Sequence, residues 1–461
     1  MSVTPTSKRF EDLKPTEPRD AEVSDVLSYT DQGSFVSLRG LGHHPIIHFN
    51  WVYPHLLDES EVEQFNVRLA QGFLGRLLQR SPLPWGRHRW VANLVPAPVT
   101  WFRDPIPPDA LPKWRNSLLD LLVDPEYGPG WRLAVQSLEG GGSALSLLIS
   151  HTIADATAAA QAISDAVDNK YVAPGFPAPS ARWSPARLVR DSLESARALP
   201  DVWCALMTVL RTEWTKSRRD STTSFCLRRL GREIPDPIVS VPLVYVAIDK
   251  KVCEDRSEDL GIKINTLLTA FAARLAFRIG RLDTTGCVEL VLPVSIREPG
   301  DWRGNALQAA TLRVDPQACL LYPHEFHQKR RSAIENTLRS GHDLSALLPL
   351  IPYLPLWLVR HLEKHVSGVC SVGCSFTIEF PPGLIRPFGE VSFFQLSDLE
   401  RYTASAINRL GGRLFIVFYR LDRSANFSVS CYMQDRITSY AELVPFVQDA
   451  LADLGLEGTI S

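Results

Sequence analysis

His151 and Asp155 bracket the string His-Thr-Ile-Ala-Asp, an imidazole followed four residues later by a carboxylate. Imidazole is the side chain whose ordinary proton affinity suits acid–base work near neutrality. The preceding run, Ser143 to Ser150, is apolar and reads as a buried strand; the following run, Ala156 to Val167, is alanine-rich and reads as a helix. His151 is therefore expected at a strand-to-helix junction, the place where open α/β sheets meet ligands. Asp155 is placed to cap the helix, where a carboxylate offsets the positive helix end. A metal site on this pair lacks a third ligand at suitable spacing, so no metal is expected. The string alone is equally at home as a structural histidine at a strand end.

Several elements must position that pair. Pro45 to Tyr53 reads as a strand rich in β-branched and aromatic residues. Asp58 reads as a cap for a helix over 59–78, with Val62, Phe65, Leu69, Phe73, Leu77 and Leu78 on one face. Segments 89–97 and 131–138 alternate as strands do, and Gly140-Gly141-Gly142 between two strands reads as a hairpin turn rather than a phosphate cradle. Pro174, Pro177, Pro179 and Pro185 mark a linker, and a helix over 188–216 follows. The basic cluster Lys216, Arg218, Arg219, Arg228, Arg229 and Arg232 reads as a solvated crossover or as a contact for an anionic donor group. Strands are expected over 243–248, 288–294, 412–419 and 426–432. Helices are expected over 265–279, with Asn265 as cap, over 324–339 and over 439–454.

The chain has 461 residues, of which 45% are apolar and 22% charged, with a net charge of −2. That is enough for two or three lobes, and it offers no basic face for nucleic acid. Eight cysteines, all beyond residue 203, do not form a disulfide framework. The first 30 residues lack a secretory pattern. The apolar stretch Leu344 to Val359 is interrupted by Pro349, Pro352 and Pro355, so a spanning helix is not expected. It is read as an element at the lobe interface, with contact to a membrane surface as the alternative. His43, His44 and His48 read as a loop-and-strand surface cluster. A cytoplasmic location fits these features.

The stretch Gly140 to Asp155 resembles the active-site region of the HxxxD acyltransferase superfamily, and three further blocks follow in order. Ile264 to Leu275 resembles the family's Asn-Asp helix start, with Asn265 and with Thr266 in place of the aspartate. Pro293-Val-Ser-Ile-Arg297, followed by Gly304-Asn305, resembles its "PVSxR…GN" block. Ser375 to Gly383 sits where the family carries a Ser-Asn loop, with Phe376 in place of the asparagine. The superfamily includes nonribosomal peptide condensation domains, chloramphenicol acetyltransferases, polyketide-associated acyltransferases and bacterial wax ester synthase/diacylglycerol acyltransferases, the last branch being the nearest match. Ser150 replaces the first of the family's two histidines and Ala156 replaces its glycine.

The resemblance implies an α/β fold of two chloramphenicol-acetyltransferase-like lobes, each a mixed sheet flanked by helices, with a tunnel between them. The expected organisation is a polar segment 1–34, a first lobe 35–171, a linker and crossover helix 172–240, and a second lobe 241–461. It implies acyl transfer from a thioester, as acyl-CoA or an acyl-carrier protein, to a hydroxyl acceptor, with no permanently bound cofactor. His151 would be the general base. Asp155 would pair with Arg297 rather than with the histidine, and Ser375 and Asn265 would line the tunnel or serve the oxyanion. Amide formation on an amine acceptor is the close rival, and a catalytically silent module that binds a carrier protein or acyl chain is a further alternative. A hydrolase would need a nucleophile beside His151; Ser150 is adjacent but would face the other way along the strand.

Overall fold

Ser143–Ser150 is buried at every position, as a strand is when both faces are covered. It lies inside the first of two large sheets. The computed structural model describes residues 24–42, 44–216, 237–340, 345–354, 371–380 and 382–461. Its strands are β1 (His44–Tyr53), β2 (Arg76–Gln79), β3 (Arg89–Ala92), β4 (Thr100–Ile106), β5 (Trp131–Leu138), β6 (Ser143–Ser150), β7 (Ile238–Val239), β8 (Leu243–Asp249), β9 (Val288–Ser295), β10 (Leu307–Val314), β11 (Val372–Glu379), β12 (Phe393–Thr403), β13 (Arg413–Arg420), β14 (Ser424–Tyr432) and β15 (Thr459–Ile460). The first sheet has the order β4-β5-β6-β1-β12-β7 and the second β10-β9-β11-β13-β14-β8-β15. Both mix parallel and antiparallel pairs, and the short pair β2–β3 stands apart.

The first eight helices are α1 (Tyr29–Leu41), α2 (Glu59–Gln71), α3 (Leu111–Ser117), α4 (Ala156–Val167), α5 (Pro185–Arg197), α6 (Leu199–Lys216), α7 (Lys250–Asp259) and α8 (Ile264–Arg278). Alternation along β1 and β6 divides the first lobe. Phe49, Trp51, Leu145, Leu147 and Ile149 pack with α2 and α4 on one face. Ile46 and Leu148 pack with Trp114 and Leu118 on the other. In the second lobe α8 is the core helix, its Phe271 meeting Phe418 and Phe427. Strand β13 joins the two lobes: Leu414, Ile416 and Phe418 belong to the second core, whereas Val417 and Tyr419 belong to the first.

The structure departs from the sequence reading at several points. The helix expected over 59–78 ends at Gln71, and Leu77 and Leu78 lie in β2. The turn that follows needs glycine at 75, because a Cβ there would sit 2.0 Å from the Ala70 carbonyl oxygen. The helix expected over 188–216 is two helices, α5 and α6. Asn265 does not cap α8; Lys263 holds the cap position, without a side-chain bond. α1 starts inside the segment expected to end at 34, and β12, from within 241–461, is hydrogen-bonded to β1 of the first lobe over nine residue pairs. Residues Ser345–Tyr353 form a 3-10 helix packed on α1 and α6. His43, the remainder of the stretch to Val359 and the basic cluster beyond Lys216 lie outside the described residues. No single described helix is long and apolar enough to cross a membrane.

His48 is not on the surface. It is fully buried in β1, between the Ser146 hydroxyl at 3.0 Å and the Ser397 hydroxyl at 3.3 Å. Burial lowers its proton affinity to about 3, so the folded protein holds it neutral. An unfolded chain would bind a proton there below about pH 6.5. Stability contributed by His48 is therefore present above that pH and is lost as pH falls towards about 3, at about 1.4 kcal/mol per pH unit. Urea denaturation at pH 7 and pH 5 should show a smaller loss on acidification for His48→Asn than for the parent chain; equal losses would contradict the assignment.

Candidate active site

β6 ends at Ser150, and the backbone turns through His151-Thr152-Ile153 before α4 begins. The turn is fixed by backbone bonds from His151 N–H to Pro45 C=O (3.0 Å) and from Ile153 N–H to Ser150 C=O (3.0 Å). Asp155 is the N-cap of α4: one carboxylate oxygen accepts from the Ala158 N–H at 2.8 Å. The other accepts from Arg297 Nη2 at 2.6 Å and from the Ala306 N–H at 2.9 Å. Asp155 thus joins the first lobe to the loop after β9. Arg297 fastens that loop to itself, donating to the carbonyls of Asp301, Arg303 and Gly304.

Asn305, on this loop, reaches His151. Its Nδ2 donates to the carbonyls of His151 (3.0 Å) and Thr152 (3.3 Å) and to Asp31 (3.1 Å). With three acceptors around the amide nitrogen, the orientation of the amide is determined. Its Oδ1 therefore faces His151 Nδ1, at 3.0 Å. An amide oxygen only accepts, so Nδ1 carries a hydrogen, and in the neutral ring the lone pair lies on Nε2. That is the tautomer a general base requires.

A second buried carboxylate supports the arrangement. Asp31 of α1 accepts from the N–H groups of Gly304 (3.1 Å) and Asn305 (2.7 Å). Burial pushes its carboxyl above the usual range, against these hydrogen bonds. The approach is close enough to need glycine: a Cβ on Gly304 would lie 2.9 Å from Asp31 Oδ1 and 2.9 Å from the Thr152 carbonyl oxygen. Beneath the loop Arg76 is fully buried, donating to the carbonyls of Phe73 (2.9 Å) and Trp302 (2.6 Å) with its guanidinium over the Phe73 ring. Asp398 of β12, within electrostatic reach of His151, pairs with Arg413, which also contacts Glu400 and Tyr402.

Of the sequence-derived site residues, His151, Asp155 and Arg297 come together, whereas Ser375 and Asn265 do not join them. Ser375 lies within β11, not in a loop. It pairs in parallel with Val417 and so shares the face of the second sheet turned towards the first lobe. Asn265 sits in the first turn of α8. Neither side chain is hydrogen-bonded to His151 or its partners among the described residues. Sequence reasoning missed Asp31, Arg76 and Asp398. It had Asn305 in a motif but not its bond to the imidazole. No group of His, Cys, Asp and Glu suited to a metal occurs among the described residues.

Two clefts lie between the lobes. One, of about 860 Å³, is lined by Tyr29, Arg303, Gln308, Tyr402, Arg413 and Phe415, among others. It reaches Arg303, two residues from Asn305. The other, of about 740 Å³, lies on the far side of the first sheet. His151 is half-buried and lines neither.

No family model matches the chain, and no curated protein matches it. Solved structures do. The first condensation domain of the calcium-dependent antibiotic synthetase, in complex with a substrate analogue, aligns with TM-score 0.57 at 13% identity, over 94% of this chain and 96% of that one. Polyketide synthase associated protein 5 from Mycobacterium tuberculosis aligns with TM-score 0.53 at 15% identity, over 94% and 98%. F. sporotrichioides TRI101, complexed with coenzyme A and T-2, aligns with TM-score 0.57 at 13% identity, over 94% and 99%. The nonribosomal peptide synthetase FmoA3 aligns over 96% of this chain, which spans 45% of that longer one. The chain shares the fold of these structures: two lobes, each a mixed sheet flanked by helices.

The Asp155–Arg297 pair is nearly solvent-free, at 6% and 10% side-chain exposure. Removing one partner strands the other charge, at a cost of about 3–5 kcal/mol. Asp155→Ala is expected to lower the thermal and urea midpoints by a corresponding amount and to loosen the 297–305 loop in hydrogen exchange. Unchanged midpoints would show that the pair does not tie the lobes.

Proposed function

We propose that this protein transfers an acyl group from a thioester to a hydroxyl acceptor, with His151 as general base. The observation that carries the reading is the Asn305 Oδ1 contact to Nδ1, which puts the lone pair of the neutral ring on Nε2. Nε2 takes the proton of the acceptor O–H as that oxygen attacks the thioester carbonyl carbon. The tetrahedral adduct then expels the thiolate, which recovers the proton from the imidazolium. One C–O bond forms, one C–S bond breaks, and the products are an ester and a free thiol.

Asp155 has no part in the proton transfer, because both of its oxygens are engaged by Arg297, Ala306 and Ala158. The backbone N–H groups of Ile153 and Asp155 are likewise committed, to Ser150 and Gly304, and are not free for an oxyanion. The Ser375 hydroxyl, on the interlobe face of β11, is our candidate donor to it. The donor thiol is that of coenzyme A or of a carrier-bound phosphopantetheine arm, since both present the same chemistry. Amide formation is the second reading, favoured by the likeness to condensation domains.

The test incubates the protein with acyl-CoA and acyl-pantetheine donors and separate alcohol and amine acceptor panels, following free thiol and product mass. His151→Ala should fold with an unchanged thermal midpoint and lose about 10²–10⁴-fold in rate. Asn305→Ala, which releases the ring, should lose activity while keeping Asp155 and Arg297 in place. Ester product supports the primary reading and amide product the second. Full activity in His151→Ala would refute the base assignment, and no transfer from any donor would leave a binding module.

A further inference from the structure

The second cleft, of about 740 Å³, lies on the face of the first sheet opposite Leu145, Leu147 and Ile149, and is not part of the His151 site. Its walls include Val52, Leu111, Leu243, Phe393 and Leu399, which are apolar. One cation, Arg115 of α3, lies on them. Its Nη1 donates to Gln395 Oε1 and its guanidinium stands 5.1 Å from the Tyr245 ring centroid. Among the described residues it forms no ion pair. Burial lowers its proton affinity, and no carboxylate opposes that effect. Of the cleft's other charged groups, Asp109 is exposed and the Ser461 carboxylate lies at the backbone of Tyr245; neither is within ion-pair distance of Arg115.

The polar groups beneath Arg115 are short of acceptors. Gln395 and Asn50 are fully buried, and Gln395 Nε2 and Asn50 Nδ2 have no partner. The Gln395 amide cannot be reversed to cure this, because its Oε1 is held by Arg115, which only donates; Asn50 Oδ1 accepts from the Ser146 hydroxyl. His48 is engaged by Ser146 and Ser397, and the Tyr245 hydroxyl by Ser397. A half-buried guanidinium with no ion-pair partner among the described residues, above the unpaired Gln395 N–H donor and within apolar walls, is complementary to a carboxylate on an aliphatic body.

We infer that this cleft is a binding site for an aliphatic carboxylate, its head group on Arg115 and its chain along Leu111, Leu243 and Phe393. The inference does not rest on the acyl-transfer reading. Calorimetric titration of the full chain near pH 7 with octanoate, octan-1-ol and octyltrimethylammonium, each below its aggregation limit, tests it. Octanoate should bind about tenfold or more tightly than the alcohol, as a charged hydrogen bond implies, and the cation should not bind. Arg115→Met should abolish that preference and leave alcohol binding unchanged; Val241→Trp, which adds bulk to the cleft wall, should weaken both octanoate and octanol. Should Arg115→Met fail to fold, the three-ligand comparison and Val241→Trp decide the matter. Equal affinity for acid and alcohol, retention of octanoate binding by Arg115→Met, or absence of saturable octanoate binding would each overturn the inference. His151→Ala should bind octanoate as the parent does, which separates this site from the outcome of the transfer assay.

Discussion

The ion pair between Asp155 and Arg297 is the constraint on which the candidate active site depends. Asp155 caps α4 in one lobe and, with its other oxygen, holds the loop after β9 in the other. Charges this far from water are costly to bury and are retained only with full hydrogen bonding. Here the carboxylate has three donors, and Arg297 spends its remaining contacts on loop carbonyls. Asn305 is delivered to His151 as a result, and the ring is fixed in one tautomer from across the lobe boundary.

Asp31 adds a second, independent clamp on the same loop. Its carboxylate lies against the N–H groups of Gly304 and Asn305, and the contact is possible because residue 304 has no side chain. Reactive geometry at His151 is therefore a property of two chain segments and one loop held together, rather than of the His-to-Asp string. Positioning of an imidazole by a neighbour that accepts from one of its nitrogens is a common device, and an amide serves here where a carboxylate would add charge.

Much of the framework was legible in the sequence. Strand β6, the glycine hairpin before it, the cap at Asp155 and the buried helix α8 all follow from apolar runs and turn chemistry. The Asp155–Arg297 pairing came from the family resemblance, since nothing in spacing alone joins residues so distant. What escaped was set by tertiary contact. β12 carries Asp398, Glu400 and Arg401, which hide its strand character, because Arg413 neutralises the first two inside the structure. α1 has a weak apolar face, and its Asp31 is buried by the second lobe's loop. Leu77 and Leu78 continue a helical spacing past Gln71, but the chain turns through Gly72 and Gly75 and places them in β2. Asn265 has a capping side chain by type, but α8 begins at Ile264, so Asn265 is the second helical residue and Lys263 holds the cap position.

The crossing of β12 into the first sheet has a consequence for biogenesis. β1 leaves the ribosome well before β12, its neighbour on one side. Until then the young sheet exposes an unpaired edge, the kind of surface that recruits foreign strands. Pairing at such long sequence separation is slow to form, so the nascent protein passes through a vulnerable interval in which its first half cannot be completed. Cutting the gene between the lobes would prolong that interval indefinitely, and the two halves are better regarded as one cooperative unit than as exchangeable modules.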